Sequence, residues 1–222
     1  MASHPFRDRT PDFRRLYIFG AGGSGREVAW LAEQLWGDDV ERVFLVDRPE
    51  YLRGPVNGVP VRLLAEADNE NSRFVVAVGS PQARRSIAQR CVAQGLSSIR
   101  LIHPRVEMSS HNELGEGTIL CAGSIVTTNV SMGVHVQVNI ACTISHDVSI
   151  GDFATLSPGV HVCGNVKIGR DVFIGTGANV INGQSAAPLI IEDGAVIAAG
   201  ACVTRSVEAG ALMAGVPAVR KR

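Results

Sequence analysis

The chain of 222 residues has no surplus of charge, with 21 Lys+Arg against 21 Asp+Glu. A general nucleic-acid binder carries a basic excess, so no nucleic-acid partner is expected. No apolar run approaches the roughly 18 residues of a membrane span, which excludes membrane insertion by a helix. The start of the chain, Met1 to Phe13, carries Pro5 and Pro11 and lacks the apolar core of a signal peptide. Residues 1–15 read as a flexible tail, and the protein as cytoplasmic. Its five cysteines (Cys91, Cys121, Cys142, Cys163 and Cys202) are odd in number, unclustered and free of any CxxC pair. That speaks against a disulfide framework and against zinc, and marks them as small core residues of a reduced protein.

What the sequence does have is a rhythm. Every sixth residue from Ile102 to Val180 is aliphatic or methionine: Ile102, Met108, Leu114, Leu120 and so on through Ile168 and Ile174, fourteen positions in step. Four residues after these come small or β-branched residues, such as Thr118, Ser124, Cys142, Ala154 and Ala178. Gly115, Gly133, Gly151 and Gly169 add a second rhythm of eighteen. A period of six fits neither a helix of 3.6 residues per turn nor a plain alternating strand. It fits a short strand and a turn, repeated three times per triangular coil. The fold predicted for residues 101–222 is therefore a parallel β-helix, whose coils bury one another's faces. The rhythm breaks between Ile181 and Leu189, where about five extra residues make a loop, and resumes at Ile191, Ile197 and Val203. Loops on rigid scaffolds commonly carry binding function.

Residues 16–100 follow another pattern. The apolar run Leu16-Tyr17-Ile18-Phe19 leads into Gly20-Ala21-Gly22-Gly23-Ser24-Gly25, then a helical pattern, then the strand Val43 to Val46 with Asp47 at its end. This is a Rossmann-like βαβ unit with the G-x-G-x-x-G fingerprint, in which a helix N-terminus and close backbone meet a diphosphate. By itself the fingerprint predicts NAD. Only one further clear strand follows, Phe74 to Val78, ending at Gly79. A half-unit of three or four strands has room for one nucleotide, so a mononucleotide pocket is expected, with a glycine turn that serves packing alone as the alternative.

Few polar residues in the repeat are placed for chemistry. His146-Asp147 falls on a turn, where a histidine projects outward. An imidazole there can accept a proton from an amine or hydroxyl, and a neighbouring carboxylate can fix its tautomer. Elsewhere a solvated turn would be the ordinary reading of such a pair. His135 and His161 are out of the eighteen-residue phase with His146, and His103 and His111 sit at the entrance to the repeat. The positions one coil either side of His146 are Thr128 and Gly164. Neither is a zinc ligand type, so no metal is expected.

The order of these parts, joined by Ile102-His103-Pro104, Ser145-His146-Asp147-Val148, Ser157-Pro158-Gly159, Cys163-Gly164-Asn165 and Gly215-Val216-Pro217-Ala218, resembles the hexapeptide-repeat sugar acyltransferases of the sialic-acid O-acetyltransferase and bacillosamine or perosamine N-acetyltransferase type. The resemblance implies a left-handed β-helix, an exception to the usual right-handed crossover. It also implies a homotrimer with active sites between subunits, acetyl-CoA as acyl donor, and a nucleotide-linked or free sugar as acceptor. By position, His146 matches the general base, Asp147 the acid beside it, Asn139 an active-site asparagine, and Gly164 a backbone N–H near the acetyl carbonyl. Thr176, Ala199 and Gly215-Val216-Pro217 match the surroundings of the pantetheine arm. Gly20, Gly22, Gly23, Ser24 and Gly79 would hold the nucleotide's phosphates, with Asp47 near base or ribose. Thr155 and Ser24 stand where relatives can carry histidines, so at the acceptor they offer a hydrogen bond and nothing more. N-acetylation of a nucleotide-linked amino sugar is the favoured reading. O-acetylation of sialic acid or another sugar hydroxyl, a zinc-dependent hydratase on the same helix, and a non-catalytic nucleotide-sugar-binding trimer are the alternatives.

Overall fold

Phe13 shows that the chain is held earlier than the sequence suggested. In the computed structural model, which describes residues 11–221, this ring is 4% exposed and packs edge-on against Trp36 at 5.3 Å. Arg15 already belongs to the first strand, and its guanidinium reaches Glu41 and Asp68 at 2.6 and 2.5 Å. Residues 11–15 are thus not tail. Burial of one aromatic ring and a two-partner ion pair hold them to the sheet; residues 1–10 of the expected tail lie outside the described residues.

The chain forms two compact units that divide between Pro104 and Arg105. In the first, β1 (Arg15–Phe19), β2 (Glu41–Val46), β3 (Val61–Leu63) and β4 (Ser72–Val76) form a parallel sheet of order β3-β2-β1-β4. Leu16, Tyr17 and Ile18 are all fully buried, the continuous apolar reading of a parallel strand covered on both faces. The helix α1 (Gly23–Trp36) buries Val28, Ala29, Leu31 and Ala32. A second helix, α2 (Pro81–Ala93), starts with Pro81 behind Ser80, whose hydroxyl accepts the Ala83 N–H at 3.4 Å. The strand order changes direction at β1, so the loops after β1 and β4 leave neighbouring strand ends. That is the crevice where open α/β sheets take their ligands.

The second unit is the expected β-helix. Most of its strands are two residues long and end on the aliphatic position, and they stack into three sheets, parallel throughout except for the edge strand Val219–Arg220, which runs antiparallel to Leu212–Ala214. Val126, Ile144, Val162 and Val180 form one ladder, Leu114, Met132, Ile150 and Ile168 the next, and Leu120, Val138, Leu156 and Ile174 the third. Nearly all of these side chains are buried, and so are the small positions Thr118, Ser124, Cys142, Ala154 and Ala178. Every sixth residue turns left-handed: Asn129, His135, Ala141, Asp147, Phe153, Asn165 and Asp171 hold φ between 53° and 58°.

The glycines spaced by eighteen have a different cause. None has positive φ, but a Cβ on Gly151 would lie 2.6 Å from the Arg170 nitrogen and 2.7 Å from the Gly169 carbonyl carbon. They form a column where one coil's backbone rests on the next. Carboxylates tie the same corner: Asp152 Oδ1 accepts the Val134 N–H at 2.9 Å, and Asp193 Oδ1 accepts the Arg170 N–H at 2.7 Å. Gly151→Ala is therefore expected to destabilise the fold by about 1–3 kcal/mol, the usual cost of overpacking. Urea titration of variant and wild type measures it.

The break in rhythm is a true insertion. Ile168 pairs with Ile191, twenty-three residues on, where the coils before it repeat at eighteen; the last coil is shorter, with Ile197 pairing Met213 after sixteen. The extra residues form a small hairpin closed between Gln184 and Ala187. Cys91 and Cys142 are fully buried, and burial pushes their thiols up to about 12 and about 11. An aromatic disulfide reagent near neutral pH should therefore label the exposed Cys163 and reach Cys91 and Cys142 only after unfolding.

Candidate active site

His146 and Asp147 do face each other, although neighbours on a turn need not. The left-handed φ of 57° at Asp147 swings its side chain back toward the histidine. Asp147 Oδ2 lies 2.8 Å from His146 Nδ1. An ionised carboxylate only accepts, so Nδ1 carries the proton and Nε2 keeps the lone pair of a base. Hydrogen bonds from His146 first, then Asn129, hold the Asp147 carboxyl below the usual carboxylate range. As pH falls, the pair survives until Asp147 itself protonates at that lowered value.

Gly164 lies one coil above. A Cβ there would sit 2.5 Å from His146 Cε1 and 2.7 Å from Nε2. Its backbone is pressed against the imidazole face, so only glycine fits. The Gly164 carbonyl accepts from Gly183, whereas its own N–H has no acceptor among the described residues.

The remaining helix residues gather at a different corner. Asn139 and His146 flank the strand Thr143–Ile144 from opposite ends. Asn139 uses its amide to donate to the Leu156 carbonyl at 2.8 Å. Thr176 and Ala199 are exposed on Asn139's corner, where the Gly200 N–H bonds to the Thr176 carbonyl at 2.9 Å. Gly215, Val216 and Pro217 lie beside Cys202, whose backbone bonds to Gly215 and Ala218, and Val216 is 75% exposed. Thr155 is 2% exposed, in the sheet that leads into Asn139. Within one chain these residues are not brought to His146. Of the other histidines, His135 is buried and stacked on Phe153 at 5.1 Å, His103 is buried against Trp30, and His161 meets the Thr143 hydroxyl at 2.8 Å. Among the described residues no group of three or more His, Cys, Asp or Glu is placed to hold a metal ion.

In the first unit the glycines divide by cause. Gly20 needs its φ of 108°, and Gly25 sits where a Cβ would strike the Gly20 carbonyl. Gly22, Gly23 and Gly79 have ordinary φ, and a Cβ on any of them would meet nothing within 4 Å. The fold does not require glycine there, but a group approaching the backbone would. Ser24 is exposed in the first turn of α1. The buried guanidinium of Arg84 donates to the carbonyls of Val78 and Gly79 at 2.8 and 3.2 Å and steadies that loop. Asp47 pairs with Arg90 at 3.2 Å, and Arg90 lies over the Phe19 ring at 5.6 Å.

Comparison with known proteins decides the family. Residues 15–91 match the PglD N-terminal domain and residues 147–182 the bacterial transferase hexapeptide repeats. The chain is 35% identical to a GDP-perosamine N-acetyltransferase of Escherichia coli O157:H7 over 209 residues, 90% of this chain and 93% of that one. It belongs to the hexapeptide-repeat sugar acetyltransferases. Within that family it resembles the acetyltransferase domain of PglB from Neisseria gonorrhoeae FA1090 in complex with acetyl coenzyme A, at 35% identity and a TM-score of 0.85 over 94% of this chain and 99% of that one. It also resembles a histidine-to-asparagine variant of the perosamine N-acetyltransferase from Caulobacter crescentus in complex with CoA and GDP-perosamine, at 28% identity and a TM-score of 0.83 over 93% and 96%. The fold of this acetyltransferase is thus a small α/β domain followed by the left-handed β-helix of the family.

Two features of the site escaped the sequence. Asn129 stands one coil below Asp147, and its Nδ2 donates to Asp147 Oδ1 at 3.3 Å. The eighteen-residue spacing that leads from His146 to Gly164 leads equally from Asp147 to Asn129. Arg90 had no such signal, being forty-three residues from Asp47 and on another element.

Proposed function

We propose that the protein transfers the acetyl group of acetyl-CoA to the amino group of a nucleotide-linked amino sugar, with His146 as general base. The observation that carries this reading is the free Nε2 lone pair, fixed by Asp147 and lying against Gly164. Nε2 takes a proton from the acceptor amine as its nitrogen attacks the thioester carbonyl. A C–N bond forms, the C–S bond breaks, and the proton passes on to the departing CoA sulfur. The Gly164 N–H is the group suited to the developing oxyanion, a contribution of about 3–4 kcal/mol in such holes.

Gly22, Gly23 and Gly79, with Ser24, Gly20 and the N-terminus of α1, form the cradle for the nucleotide's diphosphate, and Asp47 faces its base or ribose. GDP-perosamine is the first acceptor to test. The separation of Asn139, Thr155, Thr176 and Ala199 from His146 supports a homotrimer in which one subunit's dyad meets its neighbour's Asn139 corner. Gly215–Pro217 then continues the path of the pantetheine arm. No helix among the described residues is long and apolar enough to cross a membrane.

Thiol release from acetyl-CoA, read over a panel of amino-sugar nucleotides, free amino sugars and sialic acids, tests this proposal. Release is expected with an amino-sugar nucleotide; release only with a sugar hydroxyl acceptor would refute N-transfer. Gly23→Val fills the open cradle, so it should raise KM for the nucleotide sugar by about tenfold, the worth of one charge-assisted contact, and leave KM for acetyl-CoA unchanged. Steady-state kinetics in each substrate reads the split.

A further inference from the structure

The Asp147 carboxylate is 49% exposed. It opens onto a cavity of about 470 Å³ lined by Asn129, Asn165, Lys167, Ser185 and Pro188 among others, beneath the inserted hairpin. A carboxylate so placed is open to water and to the Lys167 ammonium, and one donor alone leaves it free to rotate about its last bond. Two donors, one on each oxygen, stop that rotation. His146 Nδ1 holds Oδ2 at 2.8 Å and Asn129 Nδ2 holds Oδ1 at 3.3 Å.

The orientation of the Asn129 amide is itself determined. The flipped amide would set its oxygen, an acceptor, against the Asp147 Oδ1 3.3 Å away, with no proton between them. Thr128-Asn129, His146-Asp147 and Gly164-Asn165 therefore stack as three coils of one polar column. The lower coil restrains the acid, the acid restrains the base, and the upper coil presses on the base's ring face.

We infer that Asn129 is a positioning residue of this centre: its side-chain amide holds the Asp147 carboxylate in the plane from which Oδ2 fixes the Nδ1–H tautomer of His146. The inference rests on the function proposed above and adds to it a residue that touches neither substrate. The competing explanation is that Asn129 merely suits a left-handed turn at φ 56°. That explanation makes an opposite forecast, because glycine and aspartate also accept such a turn.

Asn129→Gly keeps the turn and removes the amide. Asn129→Asp keeps turn and size but replaces the donor with a carboxylate that repels Asp147. In both, kcat is expected to fall by about 10- to 100-fold, the range for losing a hydrogen bond to a charged group, while KM for both substrates and the thermal midpoint stay as in wild type. The nitrogen NMR shifts of the His146 ring should move from the Nδ1–H tautomer toward the Nε2–H form. Wild-type kcat with an unmoved tautomer in either variant overturns the inference. Loss of kcat with an unmoved tautomer overturns it as well, since Asn129 would then act on something other than the dyad. If the wild type acetylates no acceptor, the proposed function fails, but the tautomer comparison still decides the role of Asn129.

Discussion

Replacing His146 with alanine is expected to lower kcat for acetyl transfer by about 10²- to 10⁴-fold, the usual share of a positioned general base. The fold should not suffer. The side chain is 57% exposed, and among the described residues its one side-chain hydrogen bond is to Asp147. Neither the axis of the β-helix nor its ladders use the ring. KM for acetyl-CoA is expected to change little, because the donor is proposed to bind at Thr176, Ala199 and the Gly215–Pro217 segment. A coupled assay of thiol release together with a thermal melt separates the outcomes. Transfer undiminished in a folded His146→Ala protein would place the base elsewhere.

The second large effect is expected at Gly164. Alanine there would bring a methyl group to 2.5 Å from His146 Cε1, nearer than carbon atoms can stand. Of the two partners the ring is the freer to move, since the Gly164 backbone is tied to Gly183 and its coil is laced into the ladders above and below. The imidazole would swing away, lengthening its bond to Asp147 and carrying Nε2 off line. A displacement near 1 Å in a reacting group costs about 100-fold, so a loss of that order in kcat is expected, with a small change in stability. The double variant His146→Ala with Gly164→Ala provides the control. If the glycine matters because it makes room for the ring, the second change adds almost nothing once the ring is gone, a strong non-additivity. Full additivity would mean that Gly164 serves the site by another route, such as its N–H.

The β-helix was legible because its physics repeats. Each coil must place a large apolar residue inward, a small residue at the next inward position and a left-handed residue at the turn, so one requirement is written many times over. The rhythm even located the insertion and its length. It did not separate two kinds of glycine, those that turn the chain and those that let coils touch, because both look alike in a string of letters. Phe13 was lost for the converse reason. A single aromatic among prolines and arginines has no period, and its partner Trp36 lies at the far end of a helix. In the dyad the residues were legible but their contact was not. It depends on a positive φ at Asp147, which the sequence permits without announcing. Asn129 lay within reach of the same arithmetic that found Gly164. An asparagine on a turn simply reads as a turn.

That positive φ bears on how such a centre can arise. Asp147 shares its backbone conformation with six other non-glycine residues at equivalent points of the coils. Aspartate and asparagine enter this conformation easily, and His135, Ala141 and Phe153 hold it in this chain as well. The acid of the dyad thus sits at ease on a turn the coils already make, and a histidine one residue earlier completes the pair with no rebuilding of the chain. Equivalent turns recur along this edge at a pitch of about 4.8 Å per coil. A His-Asp pair moved by one coil would keep its internal geometry while shifting along the β-helix axis by that distance. In this fold the places open to such a pair are therefore spaced by whole coils rather than continuously.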